Sequence, residues 1–245
     1  MTATTIMVAS GKGGVGKTWF AITLAHSLAR RGLRVLLFDA DLGLANVDIQ
    51  LGLLPERDLG VVLAGQSSLR AACVRHAGGF DILAGRSGSG ELAGLGHAGW
   101  GRVVDLLAEA GRDYDRIVVD LGAGLDPFVR QMAAAADQLL VVATEEPTSL
   151  TDAYAVLKLH RQDRPKLRGP GAIVVNQATH QAAGERVYET LARASAHFLG
   201  ERPTLAGVVR RDEKVREAIR RQSLLLTRHP SAPAGADVEA LALCL

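Results

Sequence analysis

Apolar positions along the chain follow two periods. Predominantly apolar runs occupy 5–9, 33–38, 80–83, 116–120, 138–144, 172–176 and 205–209, as expected of strands covered on both faces. Helical spacing recurs between them, in Phe20, Leu24, Ala25 and Leu28 after Lys17, in Val103, Val104, Leu106 and Leu107 before Gly111, and in Ala155, Val156, Leu157 and Leu159 after a Thr148 or Ser149 cap. Short helices are predicted at 59–63 and 69–73, and a closing one at 238–243. A further helix at 212–222 has Val215 and Ile219 inside, Arg216, Arg220 and Arg221 outside, and Glu213–Arg216 and Glu217–Arg221 at pairing distance. The Gly- and Ser-rich stretch 86–99 reads as a connecting loop. Strands alternating with helices predict an α/β fold, doubly wound around a mostly parallel sheet, as a single domain over residues 1–245 with its ligand at the strand C-termini.

Composition narrows the classes. Hydrophobic residues make up 48% and charged residues 22% of the 245, a globular balance. A net charge of +2 is too mild to imply nucleic acid, and 4% aromatics leave little for base stacking. Cys73 and Cys244 are far apart, which argues against a zinc site or disulfide scaffold and suits a reducing compartment. The first strand begins without a signal peptide and no apolar run approaches bilayer length. These features predict a cytoplasmic location.

The strongest chemical signal lies between the first strand and the first helix. Gly11, Lys12, Gly13, Gly14, Val15, Gly16, Lys17 and Thr18 fit the phosphate-loop pattern G-x-x-x-x-G-K-[ST] in the strand–loop–helix context it requires. Glycines let successive N–H groups turn toward an anion, and the helix N-terminus adds its positive end. Lys17 reaches β- and γ-phosphates, and the Thr18 hydroxyl ligates Mg²⁺. Acids end two other strands: Asp39 and Asp41 follow 33–38, and Asp120 closes 116–120 in a Walker B arrangement. Carboxylates there suit holding Mg²⁺ and orienting an attacking water; helix capping is the competing reading for each.

Lys12 is a second lysine that the generic motif does not require. With it, residues 12–18 resemble the deviant phosphate loop of the MinD/ParA group of P-loop ATPases (the SIMIBI class, with a three-layer fold). The resemblance implies ATP/ADP and Mg²⁺ as cofactors, and a homodimer that sandwiches two ATP molecules. Lys12 would cross to the partner's nucleotide in the manner of an arginine finger. Asp41 would handle the hydrolytic water, Asp39 would sit near the metal in the same switch, and the turn 121–124 would form a second switch. Thr18, Asp39 and Asp120 form the implied metal set, and Lys12, Lys17 and Asp41 the catalytic one. Asn176, ending a strand, would bond the adenine ring, and Arg210 stands near the base where relatives carry proline.

Within that group, the run Glu146-Pro147-Thr148-Ser149 leading into Asp152-Ala153-Tyr154, and Gln50-Leu51-Gly52-Leu53 after Asp48, are similar to FlhG/FleN-type flagellar-number regulators. The implied activity is slow, partner-stimulated ATP hydrolysis that switches partner binding and controls flagellar number or placement. The expected partner is an activator or a flagellar or polar component. Alternatives are ParA-like positioning of DNA or other cargo, a MinD-like division-site role, and a scaffold that binds nucleotide without hydrolysis. DNA is not favoured. The resemblance also allows peripheral attachment at the inner membrane or cell pole, but neither the basic amphipathic C-terminal helix of MinD and many flagellar regulators nor the N-terminal activator segment of some of them is expected from the pattern. Nitrogenase-iron-protein chemistry is disfavoured for want of paired interface cysteines.

Overall fold

A computed structural model describes residues 3–41, 43, 45–85, 96–164 and 171–245. Eight strands, β1 (Thr4–Ser10), β2 (Val35–Ala40), β3 (Val74–Arg75), β4 (Asp81–Leu83), β5 (Arg116–Ala123), β6 (Gln138–Ala143), β7 (Ala172–Ala178) and β8 (Thr204–Arg210), form one sheet in the order β3-β4-β2-β5-β1-β6-β7-β8. Every pairing is parallel except β3 with β4. Alternate residues of each strand feed opposite cores. In β1, Met7 and Ala9 face one cluster, and Ile6 and Val8 the other, all fully buried. Both faces are therefore covered, which is why the strands read as predominantly apolar runs rather than as alternating ones.

Helices α1 (Lys17–Arg30), α2 (Val47–Leu51), α3 (Leu59–Leu63), α4 (Leu69–Ala72), α5 (His97–Ala110), α6 (Pro127–Ala134), α7 (Pro147–Asp163), α8 (Gln181–Leu199), α9 (Glu213–Arg220), α10 (Leu225–Arg228) and α11 (Pro233–Ala242) complete the described chain. The chain reverses direction across the sheet at β1, which lies between β5 and β6. A crevice opens at such a switch point, at the strand C-termini, and the ends of β1, β2, β5 and β6 gather there. Among the described residues no helix is long and apolar enough to cross a membrane.

Several boundaries differ from the sequence reading. Residues 86–95 of the Gly/Ser stretch lie outside the described residues, but His97 to Gly99 already belong to α5. Leu33 and Arg34 precede β2 rather than starting it. Strand β5 continues through Leu121, Gly122 and Ala123, so the turn expected at 121 comes later. Helix α7 starts at Pro147 with Glu146 in the cap position. Ser149 does not cap it; its Oγ accepts from Thr144 N at 3.0 Å. On α9, Glu213–Arg216 forms at 3.7 Å, but Glu217 pairs with Arg228 at 3.0 Å instead of Arg221.

Helix α1 is buried from Lys17 to Leu28 on almost every side, between the sheet and α11, so its polar residues are enclosed. His26 is 4% exposed, packs against Phe80, and has no hydrogen-bond partner for Nδ1; His160 on α7 is equally enclosed. Burial pushes both imidazoles down to about 4, helped by Arg30 and His76 at His26 and by Arg164 at His160. A base whose pKa is lower folded than unfolded binds protons only in the unfolded chain between those values. Stability is then complete above the ordinary value of about 6.5 and falls toward pH 4. His26→Leu should remove one such contribution. Measured by urea unfolding, the difference between variant and wild type should move in the variant's favour by about 2 kcal/mol between pH 7 and pH 4.5.

Candidate functional site

The loop after β1 is shaped by two left-handed glycines, Gly14 (φ 81°) and Gly16 (φ 83°). Gly16 occupies the cap position of α1 and no side chain closes that end, so the first N–H groups of a 14-residue helix stay available to an anion. Gly11 presses on α7 so closely that a Cβ there would lie 2.7 Å from Asp152 Cβ. Ser10 Oγ donates to Lys12 O at 2.9 Å and tightens the turn.

Lys17 and Asp120 form the buried centre. Nζ of Lys17 is 2.8 Å from Asp120 Oδ1, with side chains 7% and 1% exposed. Asp120 lies directly across from Asp39 in the β2–β5 register. Both carboxyls are pushed above the ordinary range. Burial is the largest cause at each; at Asp120 it is opposed by Lys17, while at Asp39 the facing Asp120 adds to it and the value reaches about 7. Asp39 is held by main-chain N–H groups on both oxygens. Asp41 N donates to Oδ1 at 3.1 Å, and Asn46 N and Val47 N donate to Oδ2 at 3.1 and 3.2 Å. It thus serves the start of α2, as the capping reading anticipates, and faces Asp120 as well. The Asp41 carboxylate lies along Gly122 of β5, 3.4 Å from where a Cβ would stand.

The donors suit Mg²⁺. Asp120 Oδ2 is buried without a hydrogen-bond partner, beside the Thr18 hydroxyl. Among the described residues no group of three or more His, Cys, Asp or Glu forms a cage. A hydroxyl and one carboxylate are what an ion retaining waters and phosphate oxygens requires.

The outer residues are held within the chain. Lys12 Nζ lies 2.5 Å from Glu146 Oε2 and 2.9 Å from Thr148 Oγ1, and it holds the Glu146 carboxyl below its usual range. Asn176 Nδ2 donates to Val15 O at 2.8 Å. Arg210 ends β8, but Asp237 of α11 takes its guanidinium in a fork at 2.7 and 2.9 Å and its main-chain N–H at 2.9 Å. Gln177 and Asp237 were not singled out from sequence, and Glu146 and Thr148 were noted there only as a family-like run and a cap candidate, not as partners of Lys12. Glu146 and Thr148 carried a usable signal, since they follow the C-terminal end of the strand beside β1.

A glycine loop on a helix N-terminus, a buried lysine–aspartate pair and a hydroxyl beside an unpartnered carboxylate oxygen define a P-loop nucleotide-binding protein. Residues 6–225 match the CobQ/CobB/MinD/ParA nucleotide binding domain, and the chain belongs to that family. It is 37% identical to the antiactivator FleN of Pseudomonas aeruginosa, over 97% of this chain and 84% of that protein. It is 32% identical to the flagellum site-determining protein YlxH of Helicobacter pylori, over 80% of this chain and 68% of that one. The MinC:MinD cell division complex of Aquifex aeolicus contains a chain superposing with a TM-score of 0.78 at 26% identity, covering 99% of this chain and 95% of that one.

Removing one partner of the buried pair leaves an uncompensated charge. Lys17→Met should lower nucleotide-free stability by about 3 kcal/mol, and adding Asp120→Asn should recover most of the loss. A urea-unfolding double-mutant cycle checks this; additive losses would contradict the pairing.

Proposed function

We propose that the protein is a Mg²⁺-dependent ATPase of the MinD/ParA type, whose ATP-bound form pairs with a second copy and so switches its binding to another protein. The observation carrying this reading is the state of the two loop lysines. Lys17 rests on Asp120 in a buried pair, whereas Lys12 rests on Glu146 in a solvent-exposed one. Exposed pairs are weak and exchange readily. Lys12 can therefore leave Glu146 and Thr148 for the nucleotide of a partner molecule, while Lys17 stays at the centre of its own site.

Each residue has a defined task. The N–H groups of residues 13–18 and Lys17 hold the phosphates. Thr18 and Asp120 hold Mg²⁺, which supplies charge neutralisation and order at the transferred phosphoryl group. Lys17 exchanges Asp120 for phosphate oxygens, which frees Asp120 Oδ1 as well. Asp39, saturated by main-chain N–H groups, fixes the geometry of Asp41 and α2 around the metal. Asp41 orients the attacking water at the mouth between β2 and β5. Asn176 faces the base, with Nδ2 on Val15 O and Oδ1 left to accept from an exocyclic amine. Arg210, engaged by Asp237, braces that edge. Hydrolysis through positioning alone is slow until a partner completes the site. We further propose a single domain over residues 1–245, and control of flagellar number or placement as the process, supported by FleN and YlxH.

Asp41→Ala should reduce ATP turnover by at least about 100-fold while leaving an ATP-dependent dimer, read by light scattering. A variant that stays monomeric in MgATP sinks the switch. Cells lacking the protein should show an altered number or position of flagella by electron microscopy, and unchanged flagellation would remove the process assignment.

A further inference from the structure

Gln177 has φ 57°, a left-handed conformation that a glutamine seldom adopts. It lies at the C-terminal end of β7, where the β7–β8 register shifts between Val175 and Ala178. In a regular strand the side chains of Asn176 and Gln177 would point to opposite faces. Here the bulge and the positive φ turn both toward the phosphate loop. Asn176 Nδ2 donates to Val15 O at 2.8 Å, and Gln177 Nε2 donates to Gly14 O at 3.3 Å. The loop is shaped to receive them, since a Cβ on Gly16 would stand 2.6 Å from Asn176 Nδ2 and 3.4 Å from Gln177 Nε2.

We propose that Gln177 is a positioning residue of the phosphate loop. Its strained backbone delivers a second side-chain amide to consecutive loop carbonyls. With Gly14 O and Val15 O both drawn toward β7, the intervening peptides are fixed with their N–H groups turned the other way, toward bound phosphate. Strain persists at such a position because the pull on the loop stabilises the nucleotide-bound state. Gln177 touches neither base nor phosphate, and its contribution is independent of which base is bound. The inference rests on the nucleotide reading of the site above.

The test uses the full chain, with displacement of a fluorescent ADP by MgADP and MgIDP and thermal unfolding without nucleotide. Gln177→Gly relieves the strain and removes the amide. It should weaken MgADP and MgIDP by the same factor, about tenfold, with the nucleotide-free unfolding midpoint unchanged or raised. Gln177→Lys restores a donor and should return affinity to within about threefold of wild type. Binding and stability falling together would mark a merely structural residue and overturn the proposal. So would wild-type MgADP affinity in Gln177→Gly, or a loss confined to MgADP, which would mark a base contact. If the wild-type chain binds no MgADP, the nucleotide reading fails instead, and this inference with it.

Discussion

Two carboxylates and one ammonium, enclosed at the ends of adjacent strands, set the terms for everything around them. Asp39 and Asp120 face each other across β2 and β5, and Lys17 reaches only Asp120. In a medium of low polarizability that balance is poor. One acid lacks a cation, Asp39 is driven to about 7, and one oxygen of Asp120 has no partner. Apolar replacements would serve folding at least as well. The cluster suits a divalent cation, which would offset its surplus negative charge, arriving with phosphate, for which Lys17 would be the counter-charge. Without them, this buried site carries an unbalanced negative charge.

The fold fixes that cluster and leaves its surroundings adjustable. Helix α1 is buried along most of its length, so Lys17 and Thr18 cannot drift relative to β1 and β5. Asp39 is anchored by three main-chain N–H groups, so movement of the segment after β2 and of α2 is transmitted to the acid facing Asp120. Lys12, by contrast, is 37% exposed and Glu146 is 65% exposed. A rigid buried pair beside a loosely held exposed one is the division that the proposed dimerising switch would need.

Chemistry carried by contiguous residues was legible in the sequence; chemistry made by approach in space was not. The phosphate loop, the acids carried on β2 and β5 and the parallel α/β architecture follow from local pattern, because covered strands must be apolar and loop glycines must take positive φ. Strand β3, only two residues long, was missed, as were α2, α6, α8 and α10. Ala-rich α6 and the mixed surface of α8 give weak periodicity. The fork between Arg210 and Asp237 joins residues 27 apart, and the parking of Lys12 on Glu146 joins residues 134 apart. The expected Glu217–Arg221 pair lost to Arg228 for the same reason, since α10 folds back within reach of α9.

Helix α11 connects the two ends of the site in a way neither motif reveals. Asp237 holds Arg210 at the end of β8, and Glu239, two residues on, pairs with Arg30 in the last turn of α1 at 2.7 Å. One helix therefore braces both the end of β8 and the helix that starts at the phosphate loop. Asn176 supplies the complementary tie from the other side, linking β7 to Val15 in the loop. With β7 and β8 paired and α11 packed on both β8 and α1, the end of β7, the phosphate loop and the first helix form one connected frame. Under the proposed function, a nucleotide fitting that frame at one end would be held in register at the other, and the free energy of that fit would be available for the exposed contacts around Lys12 to rearrange.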